Sequence, residues 1–248
     1  MKNLAIVGFG RFGQLLYRFF HKQLPVGVVD PYQAVKRKYR KVPFISPAAL
    51  TEYEYIILAT PVSAIETVAE EIRDHLAPNT VVMDVGAVKT YPLSVLQREL
   101  PGEGHIVGSH PLFGPDSASH GFNGHIIILT PTRIEKSVYQ RVKRFWEQQG
   151  VEVVEFTAHE QDRLMAWTLA LTHFLGRALV QLPLPETPIA TRDYKFLKNL
   201  IRKINRDTPE LFLDMHRFNP YTAEMRKALA EAIESLKSHL DHLQKEID

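Results

Sequence analysis

The chain has 248 residues, 45% of them hydrophobic and 10% aromatic, enough apolar content for the core of one large or two modest globular domains. Thirty basic residues against 28 acidic leave a formal charge of +2, too little for an electrostatic nucleic-acid footprint, and the absence of cysteine excludes disulfides, thiolate catalysis and cysteine-based zinc sites. The opening MKNLAIVGFGRFG begins its apolar run too early, and breaks it too soon with glycine, for a signal peptide or a membrane span. A cytoplasmic enzyme with no membrane or nucleic-acid partner is therefore expected.

Taken in order, Leu4–Val7, Val26–Val29, Tyr55–Ala59, Thr80–Asp84, His105–Gly108, His125–Leu129 and Val151–Glu155 are short β-branched runs that read as strands. Helical periodicity falls between them at Phe12–His21, Ala64–His75 and Glu135–Gln149, the last with Val138, Val142, Phe145 and Trp146 on one apolar face. This alternation predicts an α/β fold with a Rossmann-type doubly wound sheet. After Glu155 the patterns are helical only, at 159–182, 192–204, 207–217 and 222–246, punctuated by Pro183, Pro185, Pro188, Pro209 and Pro220. The expected division is a dinucleotide-binding domain over 1–156 and an all-α substrate and dimerisation domain over 157–248, whose apolar faces close on the sheet domain or pair with a second copy.

Gly8-Phe9-Gly10-Arg11-Phe12-Gly13 follows an apolar strand and opens an amphipathic helix, the context in which a GxGxxG pattern points to a dinucleotide. Gly8 allows the tight turn, Gly10 lets the backbone approach a pyrophosphate, Gly13 lets helix and strand pack closely, and the helix N-terminus attracts the anion. Asp30, 22 positions after Gly8 at the end of VGVVD, is placed to accept hydrogen bonds from the adenosine ribose and would repel a 2′-phosphate, which favours NAD. NADP stays possible, because the basic run Lys36, Arg37, Lys38, Arg40 and Lys41 is either a solvated face or a partner for that phosphate. Thr60 and Pro61 either line the cofactor crevice or simply start a helix.

Ser109–Ser117, SHPLFGPDS, supplies the chemistry. His110 lies just past the strand HIVGS, followed by a loop stiffened by Pro111 and Pro115. An imidazole with its ordinary pKa of about 6.5 can take a proton from a hydroxyl while hydride leaves the same carbon. The 11 histidines show no HExxH or comparable ligand spacing, so no metal is expected.

SHPLFGPDS is similar to the HPMFGPxS signature of the prephenate and arogenate dehydrogenases, MDVGAVK resembles their DxxSVK loop, and LMAWTLALTHFLGRAL resembles the segment that opens their helical domain. The similarity runs from residue 1 to about 180. It implies a nicotinamide-dependent oxidative decarboxylation in tyrosine biosynthesis: hydride leaves the ring carbon bearing the 4-hydroxyl, carbon dioxide leaves C1, and the ring becomes aromatic. On this resemblance His110 binds the substrate 4-hydroxyl and accepts its proton. His173 faces the cleft, although unaided it reads equally as a core histidine. HRFNPYTAEMR resembles the family region that contacts substrate, with Asn219 the closest match, and Arg217 is the choice among Arg163, Arg177, Arg217 and Arg226 for a substrate carboxylate. Two departures stand out. Ala87 takes the place of a serine next to the substrate hydroxyl, and Glu160-Gln161-Asp162 replaces an acidic–His–Asp turn, with His159 displaced by two positions.

Other readings keep the sheet and change the role: a reductase of imino acids, a dehydrogenase of β-hydroxy acids, or a catalytically impaired NAD-binding sensor suggested by Ala87 and Gln161. SHPLFGPDS argues against the first two, and turnover separates the third.

Overall fold

The computed structural model describes residues 1–100 and 102–245. These fall into two compact units, Met1–Gln161 and Asp162–Asp248.

The first unit is built on a seven-stranded sheet of order β2-β1-β3-β4-β5-β6-β7. Strands β1 (Leu4–Val7), β2 (Val26–Val29), β3 (Tyr55–Leu58) and β4 (Val81–Asp84) are fully buried. Each is an unbroken apolar run, or nearly so, because both sheet faces are covered. Successive side chains point to opposite faces and so supply two cores. Leu4, Ile6, Tyr55, Ile57, Val81 and Met83 join helices α1 (Arg11–Phe20) and α5 (Lys136–Gln148) on one side, while Ala5, Val7, Ile56, Leu58 and Val82 join α3 (Ile65–Ile72) and α4 (Thr90–Glu99) on the other.

The chain runs from β1 outward to β2, then crosses back to β3 on the other side of β1. This reversal puts a crevice at the carboxyl ends of β1 and β3, where doubly wound sheets bind ligands. Two short helices are absent from the sequence-based reading. One is α2 (Gln33–Lys38), which takes in Lys36, Arg37 and Lys38 of the basic run and ends before Arg40 and Lys41; the other is α4, which accommodates Pro92 in its first turn and buries Leu93 and Leu96.

Strand β5 (His105–Pro111) is longer than expected and pairs parallel with β4 but antiparallel with β6 (Ile126–Arg133), so no crossover helix separates β5 from β6. The ladder shifts register between Ile106 and Val107, where Pro131, which has no N–H to donate, lies opposite Val107. As a result His110 sits inside the strand, opposite Ile128, and not in the loop after it. Strand β7 (Glu152–Glu155) closes the sheet parallel to β6.

Helix α6 (Ala158–Met165) carries the chain across the division. The expected single helix 159–182 is broken into α6, a π-helical turn at Ala166–Ala170 and α7 (Leu171–Leu179). Thr168 and Thr172 donate their hydroxyls to the carbonyls of Leu164 and Thr168 at 2.7 and 2.6 Å, the back-bonding that bends helices. Threonines cap the next two helices: Thr191 accepts the Tyr194 N–H ahead of α8 (Arg192–Ile204), and Thr208 accepts the Leu211 N–H ahead of α9 (Pro209–Phe218). The last helix, α10 (Thr222–Lys245), follows; position 246 of its expected range lies outside the described residues. No helix among those described is long and apolar enough to cross a membrane.

Candidate active site

One edge of the sheet gathers the motif residues of the first unit, because β1, β3, β4 and β5 run in the same direction and end there. Gly8 follows β1, Thr60 follows β3, Asp84 ends β4 and His110 lies near the end of β5.

At the glycine loop the three glycines act differently. Gly8 has φ +97°, and a Cβ there would lie 2.6 Å from the Ala59 carbonyl oxygen. A Cβ on Gly13 would lie 2.1 Å from the Gly8 carbonyl oxygen, so the helix packs on the loop only because that atom is missing. Around Gly10 a Cβ meets nothing within 4 Å, which leaves backbone open to an incoming ligand. Helix α1 begins directly after, with no side-chain cap and no acidic residue in its first turn, so its positive end is available to an anion. Asp30 is buried, and its carboxylate accepts the Phe9 N–H at 2.8 Å and the Tyr32 N–H at 2.9 Å, while each oxygen keeps a second lone pair.

Phe9 departs from expectation. Its ring is buried edge-on against Tyr17, Tyr39 and Phe44, and its N–H belongs to Asp30, so it shapes the loop from inside. Arg11 forms an ion pair with Asp116 of the SHPLFGPDS segment at 2.8 Å, and Phe12 meets Phe113 with ring centroids 6.3 Å apart. Thr60 packs beside Gly8 with its hydroxyl buried and unpartnered, and Pro61 precedes a short 3₁₀ turn, Val62–Ala64.

His110 is 6% exposed, with Nδ1 buried and lacking a hydrogen-bond partner. Burial, helped by the nearby Lys89 ammonium, pushes its pKa down to about 3, so the imidazole is neutral at physiological pH and not poised near 6.5 as the sequence suggested. Lys89 is itself completely buried in an ion pair with Asp84, whose carboxylate also accepts the Gly86 N–H at 3.1 Å. Burial raises the Asp84 carboxyl above the ordinary range, and the Lys89 ammonium opposes that shift. Ser109 donates its hydroxyl to the Asp84 carbonyl at 2.6 Å, tying β5 to the end of β4.

Asp84, Lys89 and Ser109 were not singled out from the sequence. The available signal was a carboxylate ending an apolar strand with a lysine five positions on. Ala87 is buried in the same loop, and its carbonyl accepts Gln161 Nε2 at 3.4 Å; Gln161 is fully buried with Oε1 unpartnered. The unpartnered atoms of His110, Thr60 and Asp84 (Oδ1) belong to strand ends and the loops after them at this edge, and that of Gln161 to a residue bound to the 84–89 loop.

The helical unit holds a second polar group. His173 is buried on α7, with Nε2 3.7 Å from Asp207 Oδ2 and Nδ1 unpartnered; burial lowers its pKa, Asp207 opposes this and Arg177 reinforces it. Arg177 donates to the Asp207 carbonyl at 3.0 Å and lies over the Phe212 ring. His216 pairs with Arg226 at 3.0 Å and is pushed down to about 4 by burial, Arg226 and His173. Neither of the two substrate contacts chosen from the sequence joins this group. Arg217 is exposed over Phe218, while Asn219 is buried and spends its side chain on the chain itself, donating to the Asp162 carbonyl at 2.7 Å and accepting the Tyr221 N–H at 2.9 Å.

Residues 30–155 match the family model described as prephenate dehydrogenase, nucleotide-binding domain, and residues 178–248 match one described as TYRAAT1-like, C-terminal domain. Among curated proteins, the chain is 29% identical over 250 residues to arogenate dehydrogenase 2, chloroplastic, of Arabidopsis thaliana, covering 96% of this chain and 70% of that one. Arogenate dehydrogenase 1, chloroplastic, of the same plant is 31% identical over 249 residues; there the match covers 96% of this chain but only 39% of the relative. The crystal structure of prephenate dehydrogenase from A. aeolicus, in complex with hydroxyphenyl propionate and NAD+, superposes with a TM-score of 0.73 at 22% identity, over 99% of this chain and 90% of that one, which establishes the shared fold. The sheet edge, its glycine loop and the family match over half the chain lead to one conclusion: the chain belongs to the prephenate dehydrogenase family.

Proposed function

We propose that the protein is an NAD-dependent oxidoreductase that decarboxylates prephenate or arogenate in tyrosine biosynthesis, with residues 1–156 binding the dinucleotide and 157–248 forming the helical domain. One observation carries this reading: a buried, uncharged His110 shares a sheet edge with a glycine loop that opens onto an uncapped helix N-terminus. The residues present fit the cofactor, since the clear space at Gly10 admits a pyrophosphate and Asp30 retains lone pairs for ribose hydroxyls. When bound, the nicotinamide accepts the hydride.

His110 takes the proton of the substrate 4-hydroxyl. As hydride leaves the carbinol carbon the hydroxyl becomes far more acidic than an alcohol, so the base needs to be neutral and fixed more than strong. Burial and the Lys89 ammonium keep it neutral, and the strand ladder fixes it. Lys89 and Asp84 act as positioning residues, holding the 84–89 loop against β5. In the helical unit, Arg177 and Arg226 are the guanidinium groups suited to a substrate carboxylate; both are partly buried and pre-oriented.

The reading includes a homodimer through the helical unit. Ile233, Leu236, Leu240 and Leu243 of α10 are 43–61% exposed and recur at spacings of three and four, the pattern of a helix seam that a second copy covers. A cytoplasmic setting agrees with a composition that has no use for disulfides.

The test is NADH or NADPH formation from prephenate and from arogenate by purified protein, with His110→Ala alongside. Turnover lost in the variant supports the reading. Absence of turnover with every pairing, in protein that still binds NAD, overturns it and favours a binding-only role consistent with Ala87.

A further inference from the structure

We propose that Arg11 and Asp116 form a latch between the glycine loop and the SHPLFGPDS segment that the pyrophosphate of the dinucleotide opens. This inference rests on dinucleotide binding at α1. Arg11 is the first residue of that helix, and Asp116 lies in the Gly114–Ser117 turn six residues beyond His110. Their side chains meet at 2.8 Å and are 47% and 49% exposed, so the contact can part without burying a charge.

Further along the same helix the contacts to this segment are of another kind. Phe12 meets Phe113, Phe19 and Phe20 meet Phe122 at 4.8 and 5.6 Å between centroids, and Arg18 donates to the Ser119 carbonyl. Helix α1 and residues 113–122 are thus joined along their length by apolar contacts and a guanidinium–carbonyl hydrogen bond, and by an ion pair at the end where an anion is expected.

Two unfavourable terms follow when a pyrophosphate reaches the N-terminus of α1. The Asp116 carboxylate repels it, and the Arg11 guanidinium cannot fully serve two anions. Transfer of Arg11 to the phosphate relieves the second, and movement of the released Asp116 away from the anion, with the turn that carries it beside His110, relieves the first. Cofactor binding thereby reaches the segment following the proton acceptor without any contact between cofactor and Asp116.

Titration of the full chain with NADH, ADP-ribose and adenosine tests this. For Asp116→Asn, affinity for NADH and ADP-ribose rises about two- to fivefold at low salt, an effect of the size of an exposed ion pair, and the gain fades as salt rises. Adenosine, which carries no phosphate, binds wild type and variant alike. Arg11→Ala weakens NADH binding, and adding Asp116→Asn to it recovers less than Asp116→Asn gains alone, because only the repulsion and not the competition for Arg11 is left to relieve. Hydrogen exchange at residues 112–122 increases with NADH in the wild type and is unchanged in Arg11→Ala/Asp116→Asn. The latch is overturned if the wild type binds NADH but Asp116→Asn binds it equally or less tightly, or if adenosine shares the gain. Failure of the wild type to bind NADH at all overturns the dinucleotide reading, and the latch with it.

Discussion

The two units hold their buried polar groups by different means. In Met1–Gln161 the backbone does the placing: strand ladders and two constrained glycines set Asp84, His110 and the α1 N-terminus on one edge, and only Tyr32 and Leu112 among its described large apolar residues are strongly exposed. In Asp162–Asp248 side chains place one another, with His173, Asp207 and Arg177 linked on one side and His216 with Arg226 on the other, while apolar side chains from Leu164 to Leu243 face solvent repeatedly. The contrast suggests a division of labour: a site fixed by a finished core, and a unit whose surface is still to be covered.

The sharpest break of this comparison is at His110. His110→Ala lowers kcat by about 10²–10⁴-fold and leaves the dinucleotide Kd unchanged; an equal effect on Kd would place the residue in cofactor binding instead. Because the imidazole is held down at about 3, the acid limb of kcat/KM attributable to it lies well below the ordinary histidine value of about 6.5. The sign for stability is the same. The unfolded chain binds a proton below about 6.5 whereas the folded site resists until about 3, so this contribution is complete above the first value and is lost as pH falls toward the second. Replacement by Asn should blunt that part of the acid sensitivity in denaturant titrations.

Next in size is Lys89→Met. It leaves the Asp84 carboxylate buried without its counterion and costs about 3–5 kcal/mol in chemical denaturation; Asp84→Asn in the same chain recovers part of the loss. Recovery of nothing would mean that Lys89 acts through packing alone.

The helical unit is tested by Leu236→Glu/Leu240→Glu. Sedimentation should show a dimeric wild type and a monomeric variant of unchanged helical content. A monomeric wild type would remove the dimer from the reading.

Smallest is the arginine pair. Arg226→Ala, which strands His216, raises KM for substrate severalfold, whereas the exposed Arg217→Ala changes stability by less than about 0.5 kcal/mol and leaves KM near the wild-type value. The reverse order would restore Arg217 as the carboxylate partner.

What was legible in the sequence follows the same division. Apolar strands buried on both faces announce themselves as unbroken runs, and the glycine spacing locates the helix N-terminus, so residue types and their spacing suffice for the sheet and its nucleotide loop. They do not suffice for the antiparallel β5–β6 pair, because strand direction leaves no mark on residue type and only the missing helix between them hints at it. Helix α4 was hidden by Pro92, which breaks a helix interior but is tolerated in a first turn. The neutral state of His110 depends on burial and on a lysine 21 positions away, which no local pattern reveals. Asn219 was chosen by likeness of its surroundings, yet its donor and acceptor are both used by the backbone around it, a contact across 57 positions that spacing does not encode.

Asp30 has a consequence for anyone who would redirect the cofactor preference. Its carboxylate stitches the end of β1, through the Phe9 N–H, to the turn after β2, through the Tyr32 N–H. Exchanging it for a small or neutral residue to admit a 2′-phosphate would strand a buried amide, at a cost of about 1–3 kcal/mol, and loosen the loop that must grip the pyrophosphate of either dinucleotide. Redesign should leave Asp30 in place and work through the exposed residues of α2, where Arg37 and Lys38 can be changed without disturbing the loop.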